Sequence, residues 1–511
     1  MMKHSLSAVL VLMLLLTLSG CVPALLVGGG AAMNQVPGFE KLKTLVAPNN
    51  SATDSKESPI EVVGIESEVP ELLNRLAAGR KVDMEDALED ALDDGDAALA
   101  LVERGRLWQL QSQFDESSKE FVGAVEKIRE VEERATVSAG KIGANIAAVV
   151  VNDTMLPYEL TGFERVMVYH FQALNHLMKG DVEAAGVEVR RANSEQARAL
   201  KAHEEELVRI EKEAKEKGFS AAAFKPKVKE LLGSSKDVAN LAKNSFQNAY
   251  TFYASGVIRE VMGEPNDAYI DYKKALEINP TNKTIQSDVI RLAHALNMNE
   301  DLARFKERFG DALKGASGKG AGDVDVVVLF EDGTIPEKQP LSFPLPIPIP
   351  KAPGVTAVAI PVYQVANQTP ESLRITSGGG ALAATERIAA LDALAVRAYE
   401  ENAPAMITRQ VLRAVLKGAA SSLASSENST FGAVVGAINL ATETADTRSW
   451  RSLPLNAQVA RFSVSSGTEL RLEHPSASGV ETLLVQKGQT SRLLVRVTRV
   501  GSRLIVSHIE L

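Results

Sequence analysis

From about residue 91 to residue 313 the apolar positions fall at helical spacing, and from Ala457 to the C terminus they alternate. The first period sets one stripe of a helix against a core and the second sets one face of a strand there. The pattern therefore predicts a helical domain (91–313) followed by a β-rich one (324–511). Strands are expected at Val324–Phe330, Val355–Val362, Val459–Val464, Glu469–Glu473, Glu481–Gln486, Arg492–Thr498 and Arg503–Ile509, parted by Gly- and Ser-containing turns. About seven short strands suffice for a sandwich. Residues 381–401 and 404–425 read as amphipathic helices with Pro404 in a first turn, so 381–445 is expected to be a helical insertion. The glycine-rich stretch 314–323 is the expected boundary, and Pro336–Pro353, with seven prolines, is expected to be an extended strap. The fold class is α+β multidomain: an N-terminal α-solenoid, then a sandwich-like C-terminal domain with a helical insertion.

Within the helical part three windows superpose without gaps: Ala98–Ala124, Val166–Ala192 and Ala249–Pro280. Each has a turn residue (Ser112, Gly180, Gly263), a small residue seven before it (Gly105, Ala173, Gly256), another five after it (Ser117, Ala185, Ala268) and an alanine seven further on (Ala124, Ala192, Ala275). Antiparallel helices approach closely only where side chains are short, and larger residues such as Phe121, Val189 and Tyr272 fill the space between. This spacing resembles the tetratricopeptide repeat, the third window most closely, and helices at about 284–296 and 300–309 are expected to close the stack. The resemblance implies a concave groove that binds partner proteins, with Tyr169, Phe252 and Arg259 as candidate lining positions; packing is the competing role for each. The charged run Ser194–Lys217 reads as a solvated helix.

The N-terminus adds an address. Lys3 and the apolar run Leu6–Leu18 form a secretory leader, 1–20, too short to span a bilayer. Leu18-Ser19-Gly20-Cys21 resembles a bacterial lipobox and holds the one cysteine of the chain. The resemblance implies lipidation at Cys21. Several acyl chains make a stable anchor where one does not. Val22, where an aspartate would mark inner-membrane retention, implies the outer membrane facing the periplasm. Residues 21–90, polar and rich in Ser, Pro and Asn over 47–70, are expected to be a tether.

Charge and composition narrow the field. A net charge of -9 gives no footprint for nucleic acid, and one cysteine excludes a disulfide framework and a cysteine-based zinc site. Residues 447–511 run against the acidic whole, with nine Lys and Arg to four Glu. In the strand 492–498, Arg492 and Arg496 share one face and Leu493, Val495 and Val497 the other. That face meets anionic envelope material on one reading, and on the other balances the acidic helices as a soluble outer surface. His203-Glu204 lacks the second histidine of a zinc helix, Leu207 standing in its place; His170 and His176 lie on different helix faces, and no Gly-x-Ser-x-Gly elbow occurs. No catalytic residue, metal or cofactor is expected.

Asn152-Asp-Thr-Met-Leu-Pro-Tyr158 running into Gly162-Phe-Glu-Arg165, Arg190-Arg191-Ala192-Asn193, Phe330-Glu-Asp-Gly333 and Asp446-Thr-Arg-Ser-Trp450 resemble a family of outer-membrane or periplasmic tetratricopeptide lipoproteins, over most of the mature chain. The resemblance supplies no catalytic residues. It implies a non-catalytic scaffold that binds envelope proteins, in cell-envelope or peptidoglycan synthesis. The alternative is a peptidoglycan- or glycan-binding lipoprotein that uses the β domain and Trp450. Asp446, Arg448 and Trp450 are read first as a structural clasp, a charge pair capped by an indole, and second as a ligand site.

Overall fold

The computed structural model describes residues 65–92, 95–139, 156–216, 220–233, 235–310, 323–347, 354–363, 365, 369–425, 445–486 and 491–511. The leader, Cys21, Asn152–Met155, nearly all of the glycine linker and the apolar stretch Phe431–Thr442 lie outside the described residues. Residues 63–511 form one compact unit, not two bodies joined by a linker.

Part of the stretch expected to be tether, 21–90, is helix. Helix α1 (Ile65–Ala77) buries Ile65, Val69, Leu72, Leu73 and Leu76, one stripe at helical spacing, and the short α2 (Glu89–Leu92) follows. Polar neighbours mask that stripe when composition is averaged over 21–90.

Four helical hairpins carry the first half: α3 (Ala97–Leu110) with α4 (Phe114–Ala139), α5 (Gly162–Met178) with α6 (Val182–Glu216), and, after two short helices α7 (Lys225–Leu232) and α8 (Ser235–Ala239), α9 (Ala249–Val261) with α10 (Pro265–Ile278) and α11 (Lys283–Ala295) with α12 (Asn299–Phe309). In the three repeating hairpins the chain turns on a left-handed residue at the same place, Ser112 (φ 60°), Gly180 (φ 80°) and Gly263 (φ 76°). The small positions do what their spacing requires. A Cβ at Gly105 would lie 2.8 Å from the Phe121 ring and one at Gly256 would lie 2.5 Å from the Tyr272 ring. Caps fix the starts: Thr161 and Glu164 form a capping box on α5, and Asn248 and Asn282 accept from Tyr250 N (3.0 Å) and Ile285 N (2.9 Å). The charged run is no separate helix; over 194–216 it is the distal part of α6, whose Ile210 packs on Ala405.

The second half holds three sheets. Five strands, in the order β11 (Arg503–Glu510), β10 (Arg492–Val500), β1 (Asp323–Asp332), β7 (Asn456–Ser465), β6 (Glu386–Ala390), pair antiparallel except β1 with β10. A four-stranded sheet follows the order β5 (Gly380–Ala384), β4 (Arg374–Ser377), β8 (Glu469–Glu473), β9 (Val480–Leu484). Val324, Val326, Val328 and Phe330 of β1 share an apolar core with Ile375, Leu470, Leu472 and Leu483 of the four-stranded sheet and with Leu373 just before it. The opposite face of β1, with Val327 and Leu329, joins the core that the helices line. A central strand buried on both faces reads as a continuous apolar run, and β1 does.

Two expectations change here. The proline strap is a strand: β2 (Lys338–Ile347) pairs antiparallel with β3 (Gly354–Tyr363). Pro340 stands opposite Pro361, a pairing compatible only with a non-hydrogen-bonded position, so the N–H groups of 338, 340, 342, 344 and 346 would all point outward. Three of those five residues are prolines with no N–H to offer, which closes the outer edge of β2 to further pairing. The outer edge of β3 is capped instead: Gln410 accepts from Ala359 N (3.0 Å) and donates to Ala359 O (2.6 Å), and Ser235 donates to Tyr363 O (2.7 Å). Secondly, residues 380–390 are strands β5 and β6, not helix, and one helix α13 (Leu391–Ser425) runs through Pro404 instead of starting there. The alanines of 380–390 favour a helix locally; pairing with β4 and β7 overrides them.

Candidate functional site

The helix-facing side of the five-stranded sheet carries Asp325 and Glu331 on β1, Arg461 on β7, and Arg492, Arg496 and Thr498 on β10. The pleat puts them there, because Arg461 pairs in register with Val327, and Val328 and Phe330 with Val495 and Val497 on the other face. Opposite them stand the first helices of the hairpins.

Glu331 is fully buried and accepts from four residues: Arg106, Tyr250 Oη (2.9 Å), Thr498 Oγ1 (3.1 Å) and Arg496, which reaches both carboxylate oxygens (2.9 and 3.0 Å). Burial works to raise this carboxyl, but the Arg106 and Arg496 guanidiniums outweigh it and hold it well below the usual carboxylate range. The network continues into the helices. Gln109 accepts from Arg106 (2.6 Å) and Arg496 (2.7 Å), and donates to Asn175 Oδ1 (2.5 Å) and Phe171 O (3.1 Å); Asn175 donates to Ser117 Oγ (2.8 Å). His170, its ring tilted against that of Tyr250 with centroids 4.4 Å apart, is buried beside the two arginines, and burial pushes its imidazole down to about 3.

A second node surrounds Arg461, which bonds Glu260 (2.8 Å), Asp288 (2.9 Å) and Asp325 (2.6 Å). Arg492 meets Glu260 and Asp325 at 3.1 Å each, and Arg291 meets Glu260 (2.7 Å) and Asp288 (2.8 Å). Gln109 and Glu260 stand three residues before their turns, the same place in two hairpins, and both hold arginines of the sheet.

The segment 446–452 ties the two halves at a third point. Arg448 bonds Asp446 (2.7 Å) and Asp96 and lies over the Tyr158 ring, 5.6 Å from its centroid. Trp450 is fully buried, 6.1 Å from Phe121 and 5.8 Å from Phe171, and its indole donates to Ser452 Oγ (3.0 Å). Glu103 accepts from Arg451 N and from Ser452 N (3.2 Å), and burial pushes its carboxyl up to about 7.

The residues singled out from sequence divide accordingly. Asp446 and Arg448 do form a charge pair, but the ring over it is Tyr158, and the indole lies in the core. Trp450 therefore presents no face to a sugar. Tyr169, Phe252 and Arg259 do not face the sheet. Tyr169 is partly exposed among Glu195, Arg129 and Glu188; Phe252 is buried under Lys274; Arg259 pairs with Asp271 (2.9 Å), Glu264 (3.1 Å) and Asp267 (3.3 Å). The helix residues that meet the sheet are instead Arg106, Gln109, Tyr250, Glu260 and Asp288, with His170 beside them. The face of Arg492 and Arg496, expected as a soluble outer surface or an envelope contact, is turned inward: Arg492 meets the helix acid Glu260, while Arg496 meets Glu331 of the neighbouring strand and the neutral Gln109 of a helix. The signal for this was present: an acid ending an apolar strand, and arginines alternating with valines. Among the described residues no group of His, Cys, Asp and Glu is arranged to hold a metal, and no helix is long and apolar enough to cross a membrane.

No family model matches the chain, and no curated protein matches it. Among solved structures, the crystal structure of MamA matches at 13% identity, over 47% of this chain and 91% of that one, with a TM-score of 0.25, a likeness too low to carry fold or function across.

Proposed function

We propose that the chain is a non-catalytic scaffold, lipid-anchored through Cys21 at the periplasmic face of the outer membrane, in which tetratricopeptide-like hairpins and a sandwich-like C-terminal half act as one rigid body that binds envelope proteins. The observation that carries this reading is the recurrence of one packing device at one spacing. Gly105 receives Phe121, Gly256 receives Tyr272, and Ala173 and Val189 occupy the same two places, both buried. Stacked hairpins of that kind are interaction modules. Their concave side is taken by the sheet, so a partner meets the second helices of the hairpins, where Val122, Val187 and Ile270 are exposed.

The test is photo-crosslinking in cells. Crosslinkers at Val122, Val187 and Ile270 of the full chain should capture one envelope protein, and crosslinkers at Tyr169 and Phe252 should not; Cys21→Ser should abolish palmitate labelling and lose the capture. Capture from none of the outer positions, or undiminished membrane attachment of Cys21→Ser, overturns the reading.

A further inference from the structure

The segment that ties the halves together has a second side. Residues 446–450 carry no helix, and alternate side chains part: Arg448 and Trp450 go to Tyr158, Phe121 and Phe171, while Ser449 lies beside Tyr363 and Arg451 reaches Glu337 at 3.5 Å. Tyr363 and Lys338 are cross-strand partners at the open end of the β2–β3 hairpin, with the Lys338 ammonium 5.6 Å from the Tyr363 ring centroid.

Among the described residues, several donors at this junction have no acceptor. Ser449 is 2% exposed and its Oγ, close enough to the Tyr363 hydroxyl to influence its titration, has no partner in hydrogen-bond geometry. Arg451 Nε is buried and also has none. Lys338 Nζ, with three protons, makes one hydrogen bond, to Arg448 O at 2.7 Å, and burial pushes the ammonium below the usual lysine range. Three of the nearby carboxylates are engaged elsewhere, and the fourth, Glu337, is the one that Arg451 reaches. Glu164 takes Tyr158 Oη (2.9 Å), Thr161 N (2.7 Å), Thr161 Oγ1 (2.8 Å) and Trp450 N (3.3 Å); Asp446 takes Arg448; Glu66 takes Thr447 Oγ1 (2.8 Å); Glu337 is largely exposed. Buried polar groups are nearly always paired, and several donors without acceptors in one place call for an acceptor-rich guest.

We propose that this junction binds a small oxyanion, a phosphate or a carboxylate, with Lys338, Tyr363 and Ser449 donating hydrogen bonds and Arg451 supplying charge. A carboxylate guest would be a free acid or a chain terminus, and a phosphate guest a free ion or a headgroup; the two arms of the test separate these chemistries.

The experiment follows thermal unfolding and calorimetric binding of the full chain with inorganic phosphate or acetate replacing chloride at constant ionic strength. One of the two anions should raise the midpoint saturably. Ser449→Ala and Tyr363→Phe, conservative enough to keep the fold, should weaken that half-saturation roughly tenfold, a change of about 1.4 kcal/mol in binding. Lys338→Met should abolish it. No saturable rise with either anion overturns the proposal, as does a rise that survives Ser449→Ala and Lys338→Met unchanged.

Discussion

His170 and Glu103 are buried groups whose titration opposes each other. The folded-state imidazole of His170, at about 3, releases its proton far below the unfolded value, because burial and the neighbouring Arg496 and Arg106 disfavour its charge against the pull of Glu331. Its contribution is therefore full above about pH 6.5 and is lost as pH falls toward 3. Glu103, raised to about 7, has the reverse sign: its contribution is full below about pH 4.5 and is lost as pH rises through 7. Between pH 7 and 5 the two offset each other, so the difference between variants is the readout. His170→Phe should lose less stability than the wild type when urea unfolding is moved from pH 7 to pH 5; equal losses would show that His170 charges freely in the fold.

At the scale of elements, the hairpins rest on a size match that is local in sequence. Gly105→Ala gains helix propensity of about 1 kcal/mol but places a methyl 2.8 Å from Phe121, an overpacking cost of about 1–3 kcal/mol. Phe121→Leu makes room. A double-mutant cycle on chemical denaturation should show Gly105→Ala destabilising alone and neutral or favourable in the Phe121→Leu background; additive losses would mean that the two residues do not share the contact. This locality is why the hairpins are legible without a structure. Strands β5 and β6 are not, because Gly380–Ala390 is small and alanine-rich: β5 becomes strand by folding back on β4 across Gly378-Gly379, and β6 only through a partner far along the chain, β7. Helix α1 hides for another reason: its five buried apolar residues sit within a stretch whose average composition is polar.

For the whole molecule, Glu331 is the joint. Replacing it with Gln leaves Arg106 and Arg496 buried without their counter-charge, and removal of one partner from a buried ion pair costs about 3–5 kcal/mol. Because helices and sheets share that network, Glu331→Gln should lower a single unfolding transition in which far-UV ellipticity and the fluorescence of the two tryptophans, Trp108 and Trp450, move together. Two separated transitions in the wild type would mean that the halves fold independently and that the joint is peripheral.

Periodicity, repeat spacing and the small-to-large matches by themselves determine that helices come first and sheets follow, where most strands lie, and that residues 447–511 carry the opposite charge to the rest. They do so because each is set by contacts within a few turns or one strand. The tertiary structure alone decides that the basic face turns inward onto the hairpins. Arg461 lies 201 residues from Glu260, and Arg496 lies 387 from Gln109. No local pattern encodes which buried charge meets which, and that pairing sets the sheet against the first helices of the hairpins.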